Sequence, residues 1–199
     1  MNIRTNYIIN HKTIALVSHY EMANEYTRVI HESESFIVCQ APDEIARASF
    51  IHFGCPLEEA VDLARKILKS PDSIPIALCA KRNLVLIRCK ASNRDGVVWL
   101  ICSHINEIQR YRINKATVLL TNGRSFHVDI KVNDLQNQRN CAAYLCQSLV
   151  NQLTEQKTKY YLYDHKQEIA LALEDGKLEY IVRRNKEDDE DLDVDIVLK

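Results

Sequence analysis

The dipeptide Asn122-Gly123 constrains this chain more than any other local feature. It stands between two β-prone runs, Thr117–Thr121 and Ser125–Val132. Asn-Gly between alternating runs favours a two-residue type I′ hairpin, because both central residues of that turn need positive φ. The sequence therefore predicts an antiparallel hairpin here. Further strand candidates are Thr27–Ile30, Ser35–Cys39, Ile74–Leu78, Leu84–Cys89 and Val97–Cys102, rich in β-branched and apolar residues. Tyr7–Ile9 and Thr13–Val17 read as a strand pair turning at Asn10-His11.

Helices interrupt this pattern in a few places. Pro42-Asp43-Glu44 is a start signal for a short helix ending near Phe53-Gly54. Pro56 opens a clearer one, with Leu57, Ala60, Val61, Ala64, Ile67 and Leu68 at spacings of three and four. Its acids come early (Glu58, Glu59, Asp62) and its bases late (Arg65, Lys66, Lys69), which complements the helix dipole. Asn133-Asp134 reads as the cap of a third, with Leu135, Ala142, Leu145, Leu149 and Leu153 as its apolar stripe. The expected fold is α+β: mostly antiparallel sheet with two main helices, Pro56–Lys69 and Asn133–Leu153. Beyond these, Glu168–Leu173 and Lys177–Val182 flank Asp175-Gly176 as a small hairpin, and 186–199 reads as a disordered acidic tail.

Charge is distributed unevenly. The net value is −1, yet residues 65–139 carry 14 Lys+Arg against 5 Asp+Glu, while residues 1–64 and 186–199 each sum to −5. A near-neutral whole thus conceals a basic central block with the long-range field that a polyanion partner responds to. The candidate contacts are Arg65, Lys66, Lys69, Lys81, Arg82, Arg110, Arg112, Lys115 and Arg124. The competing reading is a solvated face, with the bases at the end of the first main helix serving that helix alone.

Other chemistry finds little support. Seven cysteines, an odd number with no Cys-x-x-Cys pair, suggest buried free thiols in a reducing compartment. The N-terminal stretch lacks a signal-peptide pattern and no run is long enough for a membrane span, so a cytoplasmic protein is expected. His52 and His104 sit in apolar runs and read as core or edge histidines. Cys102 and His104 share a strand face, but two ligands do not make a zinc site. No phosphate loop or Gly-x-Ser-x-Gly elbow occurs. Neither a cofactor nor an enzymatic activity is expected.

Five segments in order resemble the competence transcription factor (ComK) family over roughly Tyr7 to Leu153. They are Ser49-Phe50-Ile51-His52-Phe53-Gly54, Ser70–Ile76, Trp99–Ile105, Thr121-Asn122-Gly123-Arg124-Ser125, and Val132–Leu145 with its Asn137-Gln138. The sequence departs from the pattern at Ser73, where a basic residue is expected, and keeps only Pro75 of a Pro pair.

The resemblance implies a DNA-binding domain over 1–155 that activates DNA-uptake genes. Its expected target is double-stranded DNA with paired A/T-rich promoter boxes, bound mainly through the minor groove and backbone. Expected partners are further copies of the chain as a dimer or higher homo-oligomer, RNA polymerase, and a proteolytic adaptor. The segment 156–185 is the candidate adaptor-binding region. Within it Tyr160, Tyr161, Leu162, Tyr163 and Lys166 look like the handle. The alternative is a non-DNA-binding interaction protein that engages such an adaptor. A further expectation is that the tail competes with DNA for the basic face, so that deleting 186–199 tightens binding.

Overall fold

The computed structural model describes residues 3–22, 24–69, 74–92, 96–157, 162–164, 169–174 and 177–182. Two compact units divide the chain, Met1–Ser148 and Leu149–Lys199. The first holds a seven-stranded sheet built from β1 (Ile3–Arg4), β2 (Thr13–Glu21), β3 (Asn24–His31), β4 (Ser35–Val38), β5 (Ile76–Cys79), β6 (Leu84–Lys90) and β7 (Val97–Ile101). Their order is β1-β4-β3-β2-β7-β6-β5, antiparallel throughout except for the parallel β1–β4 pair. The fold is α+β.

Both faces of this sheet are covered, which explains why its central strands are continuously apolar rather than alternating. Along β7, Val97, Trp99 and Ile101 enter one core cluster while Val98 and Leu100 enter the other. The first core lies against α1 (Pro42–His52) and α2 (Leu57–Leu68), through Ile45, Ala46, Phe50 and Ala60. The second is closed by a three-stranded antiparallel sheet of β8 (Ile105–Arg112), β9 (Lys115–Leu120) and β10 (Ser125–Val128), together with the start of α3 (Val132–Lys157). A register shift between Thr13 and Ala15 lets both Ile14 and Ala15 face this second core, while Leu16 faces the first. In the second unit, β11 (Leu162–Asp164), β12 (Ile169–Glu174) and β13 (Lys177–Val182) form an antiparallel sheet in that order.

Several sequence expectations change. Tyr7–Ile9 pairs with no strand. The Tyr7 hydroxyl lies 2.6 Å from Thr13 Oγ1, and the Ile9 N–H donates to Ser49 Oγ at 3.0 Å. Buried side-chain partners thus replace the ladder, and β2 pairs with β3 instead. The Asn-Gly turn is not type I′: of the two residues only Gly123 has positive φ, +80°. The Gly123 N–H donates to the Leu120 carbonyl at 2.9 Å and the Leu120 N–H to the Arg124 carbonyl at 2.8 Å. That is the three-residue turn closed by a left-handed glycine. Strand β8 was not legible in the sequence, because seven of its residues face outward wholly or in part and only Ile105 is buried. Helix α3 starts one residue before the expected cap, the Lys131 carbonyl accepting from the Leu135 N–H at 3.0 Å. The thiols are all free, but only Cys89 is fully buried and Cys39 is exposed.

Candidate nucleic-acid interface

Strands β8 and β9 form an arm that ends in Tyr111, Arg112, Ile113 and Asn114, all exposed. Arg112 pairs with Lys115 across the tip, where Asn114 takes a left-handed φ of +63°. Tyr111 stacks on His127 of β10, with ring centroids 3.8 Å apart and planes 13° from parallel. His127 Nδ1 lies 2.9 Å from Thr117 Oγ1. The arm is therefore braced across all three strands rather than hanging free.

Between this arm and the first turn of α3 lies a cleft of about 440 Å³. Arg110, Arg112, Lys115 and Lys131 line it, with Ile113, Asn114, Val132, Asn133 and Asp134. Lys115 is engaged by Asp129 at 2.7 Å, and Ser92 Oγ also donates to that carboxylate at 2.8 Å. The Lys115 hydrogen bond, foremost, holds the Asp129 carboxyl below its ordinary range. Arg110, Arg112 and Lys131 make no ion pair among the described residues. The amide groups of the first helical turn carry partial positive charge toward the same space. Three unpaired cations and a helix start, against Asp134 alone, suit a phosphate group or another oxyanion.

The nine expected cations do not form one surface. Arg110, Arg112 and Lys115 meet in the cleft. Arg124 lies at the opposite end of β9, about 17 Å away along the strand. Arg65, Lys66 and Lys69 end α2, on the other side of the seven-stranded sheet, and Arg65 is paired with Asp62 at 3.3 Å. Lys81 and Arg82 follow β5, with the Arg82 guanidinium 5.7 Å from the centre of the Phe53 ring. Cys146 of α3 touches this turn through the Ala80 carbonyl at 3.4 Å. That places Lys81 and Arg82 about 18 Å along the helix from the cleft. Lys131 joins the cleft although the sequence reading passed it over. Its position just before a helix start, within the basic block, was the available signal. Of the handle residues, Leu162 and Tyr163 fall in β11, while Tyr160, Tyr161 and Lys166 lie outside the described residues, as does the tail.

His52 is exposed and meets Phe53 edge-on with centroids 5.5 Å apart. His104 Nδ1 lies 3.1 Å from Thr121 Oγ1, so it serves the hairpin. No cluster of metal-ligating side chains occurs among the described residues.

The ComK protein family matches this chain over residues 4–155, about three quarters of its length. The chain belongs to the ComK family. ComK proteins are competence transcription factors, DNA-binding regulators rather than enzymes. The match takes in the arm, the cleft and all nine expected DNA-contacting cations with Lys131, and ends before β11. No curated protein and no solved structure matches the chain. Among the described residues no helix is long and apolar enough to cross a membrane.

Four of the segments that carry the ComK resemblance supply structural residues, while 70–73 of the other, Ser70–Ile76, lie outside the described residues. Ser49 is buried, its hydroxyl donating to the Ile45 carbonyl at 2.7 Å while accepting from Ile9. Trp99 is buried and its indole N–H donates to Asp43 Oδ1 at 2.7 Å. Asn122 Nδ2 donates to the His31 carbonyl at 3.4 Å, tying the turn to the large sheet. Gln138 is buried on α3.

Proposed function

We propose that this chain activates transcription by binding A/T-rich DNA boxes with the β8–β9 arm and the cleft beside it. The single observation carrying this reading is the convergence of unpaired Arg110, Arg112 and Lys131 on the start of α3. A narrow A/T minor groove concentrates negative potential and favours inserted Arg side chains, and two-stranded β arms are a known means of entering a groove. Phosphates flanking the groove would occupy the cleft, adding affinity that depends on salt and not on sequence. Paired boxes call for paired binding units, so the active form on DNA is a dimer or higher assembly of the chain. RNA polymerase and a proteolytic adaptor complete the proposed partners. β11, at the edge of its sheet and containing Leu162 and Tyr163, offers the adaptor a strand to extend.

The test is binding to a duplex with two A/T-rich boxes, against a G·C-scrambled duplex, across a salt series. Selective binding with a steep slope is expected. Reversing Arg110 and Arg112 to Glu should lower the slope by about 2 in log–log terms. Reversing Arg65, Lys66 and Lys69 should leave it nearly unchanged. The opposite ranking would transfer the interface to α2; absence of selectivity in folded protein would reject A/T-box recognition, and absence of binding at low salt would reject the DNA reading altogether.

A further inference from the structure

The arm ends in an apolar residue that local turn chemistry does not require. Asn114 takes the position of positive φ, as turn chemistry favours, which leaves the first central position open to any side chain; Ile113 occupies it and is 77 % exposed. Folding gains little from an isoleucine left in water there. Arg112 precedes it, Asn114 follows it, and Arg110 and Lys131 share its cleft. The Tyr111–His127 stack braces the arm immediately behind it, and the Arg112 guanidinium lies 5.2 Å from the centre of the Tyr111 ring.

A second hairpin tip provides the contrast. Met22, between β2 and β3, is 92 % exposed, at a φ of +47°. Glu21 and Glu25 flank it in the hairpin, and their negative charges repel a polyanion. Two tips thus present an apolar side chain, and the cations attend only one of them. An apolar side chain carried into a groove by flanking cations acts as a wedge between base pairs, displacing stacking that the flexible pyrimidine–purine steps give up most easily.

We infer that Ile113 is a DNA wedge, inserted from the minor groove into a base step of the A/T box while Arg110, Arg112 and Lys131 hold the adjacent phosphates. The inference rests on the DNA reading above and assigns to one side chain the local opening of the duplex. Its exposure makes substitution benign for folding, since no core contact is lost.

The experiment uses the full chain and a two-box duplex in which 2-aminopurine replaces each box adenine in turn. This analogue still pairs with thymine and brightens when unstacked. Saturating protein should give a several-fold rise at one step per box. Ile113→Ala should abolish the rise and weaken binding about tenfold while keeping the salt slope, whereas Ile113→Leu should retain the rise. Met22→Ala should behave as the unaltered chain. Bound duplex with no rise at any position, or a rise that survives Ile113→Ala, would overturn the wedge and leave the DNA reading intact. Failure of the unaltered chain to bind the duplex at low salt would remove both.

Discussion

At the scale of residues, Asp43 is where helix, strand and charge meet. Its carboxylate takes a two-pronged bond from Arg88 of β6, at 3.0 and 2.8 Å, and the Trp99 indole N–H of β7 at 2.7 Å. It also sits in the first turn of α1, where the helix dipole favours a negative charge. Burial alone would raise this carboxyl, but the Arg88 and Trp99 hydrogen bonds and the Arg88 charge outweigh it, so its pKa is lowered. A carboxyl lowered in the folded state stabilises above its unfolded pKa, roughly 3.9, and loses that contribution as pH falls through the folded value. Asp43→Ala should therefore cost about 1–2 kcal/mol at neutral pH, the pair being partly exposed, with a smaller deficit at pH 2. Urea unfolding of both proteins at the two pH values checks this, and an equal deficit at both would assign the loss to packing. Nothing in the sequence marked Asp43 beyond a helix start. Its partners lie 45 and 56 positions away, a long-range pairing that local pattern does not encode.

Among elements, those with an apolar period or a continuous apolar run were legible and those with neither were not. Helix α2 follows its three-and-four spacing closely, and β6 and β7 appear as apolar runs because both of their faces are buried. The Asn-Gly hairpin was placed correctly, but its turn type was not, since one glycine supplies the only positive φ required. This difference has a measurable consequence. A Cβ at Gly123 meets no atom within 4 Å, so Gly123→Ala suffers from backbone conformation alone and should cost about 1 kcal/mol or somewhat more. Asn122→Gly would be nearly neutral in a type I′ turn. Here it removes the bonds from Asn122 Nδ2 to the His31 carbonyl and from the Arg124 N–H to Asn122 Oδ1, and should cost a further ~1 kcal/mol. Thermal unfolding of both variants separates the two turn geometries. The first strand of the arm escaped the sequence for the reason that makes it a candidate interface, whereas β9 was expected at Thr117–Thr121. Most of β8 faces solvent, so it lacks the alternation by which half-buried strands are recognised, and its charges are free for a partner.

For the molecule as a whole, the basic block seen in the sequence resolves into separate patches, because the fold sends its members to both faces of one sheet and both ends of one hairpin. Counting cations along a chain finds the sign of a partner's charge; only the topology selects those that act together. The acidic flanks enter at this scale too. Residues 186–199 carry −5, so removing them changes the net charge from −1 to +4. If the tail acts through the long-range field, the shortened chain should associate with DNA up to about tenfold faster near 0.01 M salt, where the Debye length is about 30 Å. By 0.15 M, with a screening length of about 8 Å, the two rates should converge. Stopped-flow association of the full and shortened chains over that salt range measures the effect. Convergence identifies a screened field as the tail's whole contribution. A difference that persists at 0.15 M would mean that the acidic residues compete for the DNA-binding cations at close range, where bulk salt screens poorly.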